Sequence, residues 1–119
     1  MIVLPWPSSA LSSNARGHWA KKARATAKYR DDARLCTLAA KASAPPEGEI
    51  AVTIRFVPPH RRIDAANYPA LFKAGLDGIA DGLKCNDRRF KPDYLYADPE
   101  KPGRVEVTIG AAEAARAAA

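Results

Sequence analysis

The chain has 119 residues, 47% of them hydrophobic and 27% charged, with a formal net charge of +6. That size suits one domain with its own core and leaves no room for a second, and no apolar run approaches the ~18 residues of a bilayer span. The charge is uneven: residues 1–62 carry eleven cations against four carboxylates, residues 63–119 eight against nine. A basic half feeding an acidic cluster suits a polyanionic partner, the plainer alternative being a solvated basic helix face.

Residues 1–4 are apolar and are stopped by Pro5 and Pro7, which predicts a brief strand. This opening has no basic n-region and no long apolar core, so a cytoplasmic protein without a secretory leader is expected. Residues 8–17 are polar, with Ser12, Ser13 and Asn14 as candidate caps. Nothing breaks a helix from 18 to 42, and Tyr29, Ala33, Cys36 and Ala40 mark its buried stripe. Arg16, Lys21, Lys22, Arg24, Lys28, Arg30 and Arg34 crowd its first half, where cations oppose the helix dipole and an anionic ligand would relieve them.

Two prolines and a glycine then close that helix, and residues 49–57 alternate Ile50, Val52, Ile54 and Phe56 against a mixed face, the pattern of a strand. Pro69 restricts the next helix to a start near Asn67 or Tyr68, with Asn67 as N-cap. Tyr68, Phe72, Leu76, Ile79 and Leu83 form its apolar stripe; Lys73, Asp77 and Asp81 fall together about 140° away, and Gly82 is expected to end the helix near Leu83. Residues 93–97 and 104–109 read as strands joined by the turn DPEKPG, a predicted hairpin, and the alanine-rich tail 111–119 as frayed helix or disorder.

Cys36 and Cys85 have no CxxC spacing and read as reduced, structural residues. P-loop, dinucleotide, HExxH and GxSxG motifs are absent from the sequence. What stands out is Arg61 to Asp87. Asp64, Asp77 and Asp87, with Asp81 behind them, supply oxygen ligands of the kind Mg²⁺ takes, and phosphodiester hydrolysis uses such a metal to neutralise phosphate and activate water. Lys73 suits a phosphate or a leaving oxygen, or else simply pairs with Asp77. Capping and surface solvation are the alternatives for each aspartate. His18 and His60 read as surface residues, and Trp6 and Trp19 as packing residues rather than base-stacking ones.

LPWP, a polar loop holding Asn14, a basic helix, an alternating strand, RRIDAAN, a lysine four residues before an aspartate, and Asp87 in a loop together resemble the RusA family of Holliday-junction resolvases, over residues 3 to 109. The resemblance implies a Mg²⁺-dependent endonuclease (Mn²⁺ as substitute) that cuts branched DNA such as a four-way junction as a homodimer. It maps Asp64, Lys73 and Asp87 to catalysis and Asp64 and Asp87 to the metal. Ala66 stands where the family has a second aspartate, Asn67 to Lys73 is three residues longer than its motif, and Asn86 replaces one member of its acidic pair. Asp77 is therefore expected to supply the missing carboxylate, with Asn67 and Asn86 as neutral supporting groups. Asn14, Arg16, Lys21, Lys22, Arg24, Lys28, Arg61 and Arg62 are expected to meet DNA. A junction-binding relative without nuclease activity is the alternative that Ala66 favours. The expected fold is α+β, a small mixed β-sheet with two main helices in the order β-α-β-α-β-β over residues 1–110.

Overall fold

The computed structural model describes residues 1–11, 19–61 and 65–110. Its elements are strand β1 (Ile2–Pro5), helix α1 (Trp19–Ala39), β2 (Ile50–Val57), a short α2 (Tyr68–Leu71), α3 (Lys73–Leu83), β3 (Phe90–Tyr96) and β4 (Arg104–Ile109). This is an α+β fold with a small mixed sheet, as the sequence predicts. The expectations placed on Ser12, Ser13, Asn14, Arg16, His18, Arg62, Asp64 and the tail 111–119 fall outside the described residues.

The four strands lie in the order β1-β4-β2-β3. β4 is antiparallel to both neighbours, with Val107 opposite Ile2 on one side and Ile54 on the other. β3 runs parallel to β2, Ile54 opposite Tyr94. The expected hairpin of the last two strands is therefore incorrect: they are not neighbours. Turn residues mark where a chain can reverse but not which strands then pair, and β4 pairs instead with β1 and β2, both distant in sequence.

One face of the sheet is continuous core. Ile2 and Leu4, Val105 and Val107, and Ile50, Val52, Ile54 and Phe56 are all buried on it, so the period-two alternation reports the true inward set. Helices α1 and α3 cover this face through Tyr29, Ala33 and Ile79, together with Phe72 between α2 and α3. Phe56 sits at the centre of an aromatic group, 6.0 Å from the Phe72 ring and 5.9 Å from Tyr94. Trp6 packs edge-on to Tyr68 at 5.0 Å, so it is a packing residue, as expected. Trp19, by contrast, is exposed at the start of α1. The Tyr29 hydroxyl donates to the Pro5 carbonyl at 2.7 Å and ties α1 to the end of β1; its burial raises its pKa above the usual phenol range.

The two helices approach closely because Gly78 and Gly82, one turn apart, face α1. A Cβ on Gly78 would meet the Arg30 carbonyl oxygen and Ala33; one on Gly82 would meet Thr37. Gly82 therefore serves packing rather than termination. The helix ends instead at Lys84, in the left-handed conformation (φ 56°, ψ 44°), with the Cys85 N–H returning to the Ala80 carbonyl at 3.1 Å.

Phe72 (φ −91°, ψ 2°) interrupts the single helix expected from 67 to 83. The hydrogen bonds from the Phe72 N–H to the Tyr68 carbonyl (3.0 Å) and from the Leu76 N–H to the Phe72 carbonyl (3.2 Å) nevertheless span the break. Asn67 does occupy the N-cap position, but its side chain makes no capping bond. Cys36 and Cys85 are free and half-buried, and burial raises both thiol pKa values. Among the described residues, no helix is long and apolar enough to cross a membrane.

Candidate functional site

Lys73 opens α3 and Asp77 lies one turn further on, so their side chains meet: Lys73 Nζ is 2.8 Å from Asp77 Oδ1. The third member comes from beyond the helix. The left-handed Lys84 turns the chain back, and the Asn86 side chain accepts the Arg88 N–H at 2.9 Å to start a 3₁₀ turn at Asp87. Asp87 thereby returns to the helix flank, its Oδ2 3.4 Å from Lys73 Nζ. One ammonium spans two carboxylates separated by ten residues of chain. The hydrogen bond that Lys73 donates to Asp77 holds its pKa above the usual lysine range, against partial burial, so the ammonium is fully charged at neutral pH.

These groups line an open pocket of about 450 Å³ with Arg30, Asp81 and Asn86, and Ala80 and Cys85 form its less polar side. Asp81 is committed within it: Arg30 grips it side-on, Nε to Oδ2 at 2.6 Å and Nη2 to Oδ1 at 2.9 Å. The bond from Arg30 lowers the Asp81 pKa, against desolvation. With the two side chains 51% and 35% exposed, such a pair adds only about 0–1 kcal/mol to stability. Orientation of the guanidinium is its larger effect. Sequence reasoning placed Arg30 in the basic helix but not in the site, because its partner lies 51 residues away and no local spacing links them.

A second hollow of about 240 Å³ lies on the other flank of Lys73 and Asp77, between Lys22 and Thr26 of α1 and Leu71 and Ala74 of the α2–α3 segment. Lys22 thus shares a hollow with Lys73 and Asp77. Helical periodicity sends Lys21, Arg24 and Lys28 to the outer face of α1, roughly 120–180° from its buried line; all three are exposed, and Lys28 is paired with Asp32 at 2.7 Å. Arg61 is exposed just past β2, and Asn67 and Ala66 are exposed in the 3₁₀ turn before α2. The structure therefore gathers Lys73, Asp77, Asp87 and Asn86, adds Arg30, Asp81 and Lys22, and leaves Lys21, Arg24 and Lys28 facing elsewhere.

Among the described residues, no three carboxylates, imidazoles or thiols converge as a metal-ligand set. The pair Asp77 and Asp87 nevertheless fits Mg²⁺ in kind: both are hard oxygen donors, both pair with the Lys73 ammonium, and Mg²⁺ is commonly held by one or two carboxylates with water completing the shell.

No protein-family model matches the chain. It is 41% identical over 113 residues to an uncharacterized protein of Xylella fastidiosa, a match covering 91% of this chain and 74% of that one.

Proposed function

We propose that this chain, which belongs to the same family as that Xylella fastidiosa protein, is a Mg²⁺-dependent endonuclease of the RusA type that cuts branched DNA. The observation that carries the reading is one ammonium shared by two carboxylates from separate elements, in an open pocket beside a basic helix. Asp77 and Asp87 would hold the cation, with Asp64 as the further ligand the resemblance implies. When bound, Mg²⁺ neutralises phosphate charge and makes water a better nucleophile.

The chain's own groups do the rest. Lys73 remains protonated and donates to the phosphate oxygens as negative charge gathers on them. Its two carboxylate partners set its position beforehand, so little reorganisation is needed. Asn86 fixes the 3₁₀ turn that presents Asp87, a positioning role in place of the neutral ligand-supporting one expected of it. Lys22 lies where a flanking phosphate would pass, and cytoplasmic homodimers would offer two such sites to two strands.

The test is a synthetic four-way junction incubated with Mg²⁺ and wild-type, Asp64→Asn or Asp87→Asn protein. Cleavage by the wild type alone is expected, at least a hundredfold above either variant. Ala66 favours a second reading, a junction-binding protein without nuclease activity; tight binding with no cleavage in Mg²⁺ or Mn²⁺ would establish it. Absence of any preference for branched over linear DNA would reject both.

A further inference from the structure

Arg30 stands in the pocket of Lys73, Asp77 and Asp87, whereas the helix pattern counts it only as one of many cations on α1 and the resemblance gives it no part. Its geometry is specific. A guanidinium has five N–H donors in a rigid plane, and the side-on grip on Asp81 uses Nε–H and one Nη2–H. Three donors remain on a group whose orientation Asp81 biases, and planar N–H donors of this kind recognise phosphate. A helix tie alone would not require the planar fork.

The surroundings give these donors a direction along the protein. Lys22, Thr26 and Arg30 recur every four residues of α1, so they follow one line beside α3. Lys22 and Arg30 are about 12 Å apart along that axis, eight residues at about 1.5 Å each, far enough to meet different phosphates of one strand. Lys73 borders both hollows and so lies between them. We propose that Arg30, held by Asp81, binds a backbone phosphate of the substrate strand next to the one at Lys73, with the strand running along the α1–α3 seam from Lys22 to Arg30. This rests on the nuclease reading above and extends it. Asp81 is a positioning residue, acting through Arg30.

Formal charge adds a condition. Two cations, Arg30 and Lys73, face three carboxylates, Asp77, Asp81 and Asp87, so the pocket is negative by one charge until a divalent cation joins it. Arg30 therefore contributes to DNA affinity only when such a cation is present.

The experiment is equilibrium binding of a fluorescent four-way junction across a salt series, with Ca²⁺ and with EDTA, alongside KM and kcat in Mg²⁺ and the thermal midpoint of each protein. Arg30→Ala is expected to weaken binding about tenfold in Ca²⁺ and less than twofold in EDTA, and to make the log–log salt slope shallower by about 0.9. Arg30→Lys should keep the slope and recover only part of the affinity. Asp81→Asn should raise KM more than it lowers kcat in the wild-type background and do neither in Arg30→Ala.

Unchanged affinity and slope in Arg30→Ala, with a lowered thermal midpoint, would reduce the pair to a helix tie. An Asp81→Asn that tightens binding equally in both backgrounds would remove the positioning role, since it would then act only as a repelling charge. A wild type that cuts junctions while Arg30→Ala cuts and binds as well overturns this inference alone; a wild type that binds no DNA overturns it together with the nuclease reading.

Discussion

Substituting Gly78 by alanine puts one methyl group where α1 and α3 touch. The added Cβ would lie 2.6 Å from the Ala33 Cβ and against the Arg30 carbonyl oxygen, whereas relaxed carbon contacts sit at about 3.5–4.0 Å. One obstacle is backbone and the other the shortest of side chains, so neither swings away and α1 must retreat by about 1 Å. Overpacking of this kind costs about 1–3 kcal/mol. Replacing a helical glycine by alanine returns about 0.5–1 kcal/mol. The expected net loss is about 1–2 kcal/mol, or a melting temperature lower by about 4–8 °C in a chain of this size. Urea unfolding followed by circular dichroism measures it, with an unchanged slope showing that the loss lies in the folded state. Because the retreating turn carries Arg30, its grip on Asp81 should open and DNA affinity fall with stability. A Gly78→Ala protein as stable as the wild type, or more so, would refute the close helix contact from which the pocket is built.

Three further outcomes follow from the same contacts. Lys73→Met leaves Asp77 and Asp87 without their shared counter-ion, so Mg²⁺ should bind at least threefold more tightly by calorimetry while cleavage is lost; weaker Mg²⁺ binding would place the metal elsewhere. Asp77→Asn should shift the Mg²⁺ concentration needed for half-maximal cleavage upward about tenfold, and an unchanged requirement would remove Asp77 from the ligand set. On the outer face, Glu106 accepts from Arg55 and Arg104, each at 2.7 Å. Burial works against its ionisation, but the two arginines prevail and lower its pKa. A depressed carboxylate adds stability above its unfolded pKa, near 4.5, and loses it as pH falls through the lower folded value. Glu106→Gln should therefore cost about 1 kcal/mol at pH 7 and almost nothing near pH 2; an equal cost at both would show that packing, not charge, is involved.

Local pattern accounts for much of the fold. Alternation in residues 50–57 and the Tyr29–Ala33 line of α1 depend on contacts every two or four residues, and both are the buried faces. What local pattern lacks is partnership. The place of β4 between β1 and β2 rests on pairing with strands about 50 and 100 residues away, and the turn residues before it carry no such information. Gly82 looked like a helix stop because glycine often is one, but here its missing side chain admits Thr37, and Lys84 adopts the left-handed turn. In the site, Lys73 with Asp77 was visible as an i,i+4 pair. The approach of Asp87 needed the reversal after Leu83, and Arg30 with Asp81 needed two helices in contact.

The sheet order has a bearing on how the chain is made. Residues 104–109 come after every other described strand in the chain, yet they are the seam that joins the first strand to the second. Until they emerge, Ile2 and Leu4 have no neighbour to pair with and one side of β2 stands open. A chain cut before Arg104 therefore cannot complete its sheet, and it leaves bare the β1 and β2 edges that β4 covers, a ready template for pairing with another chain.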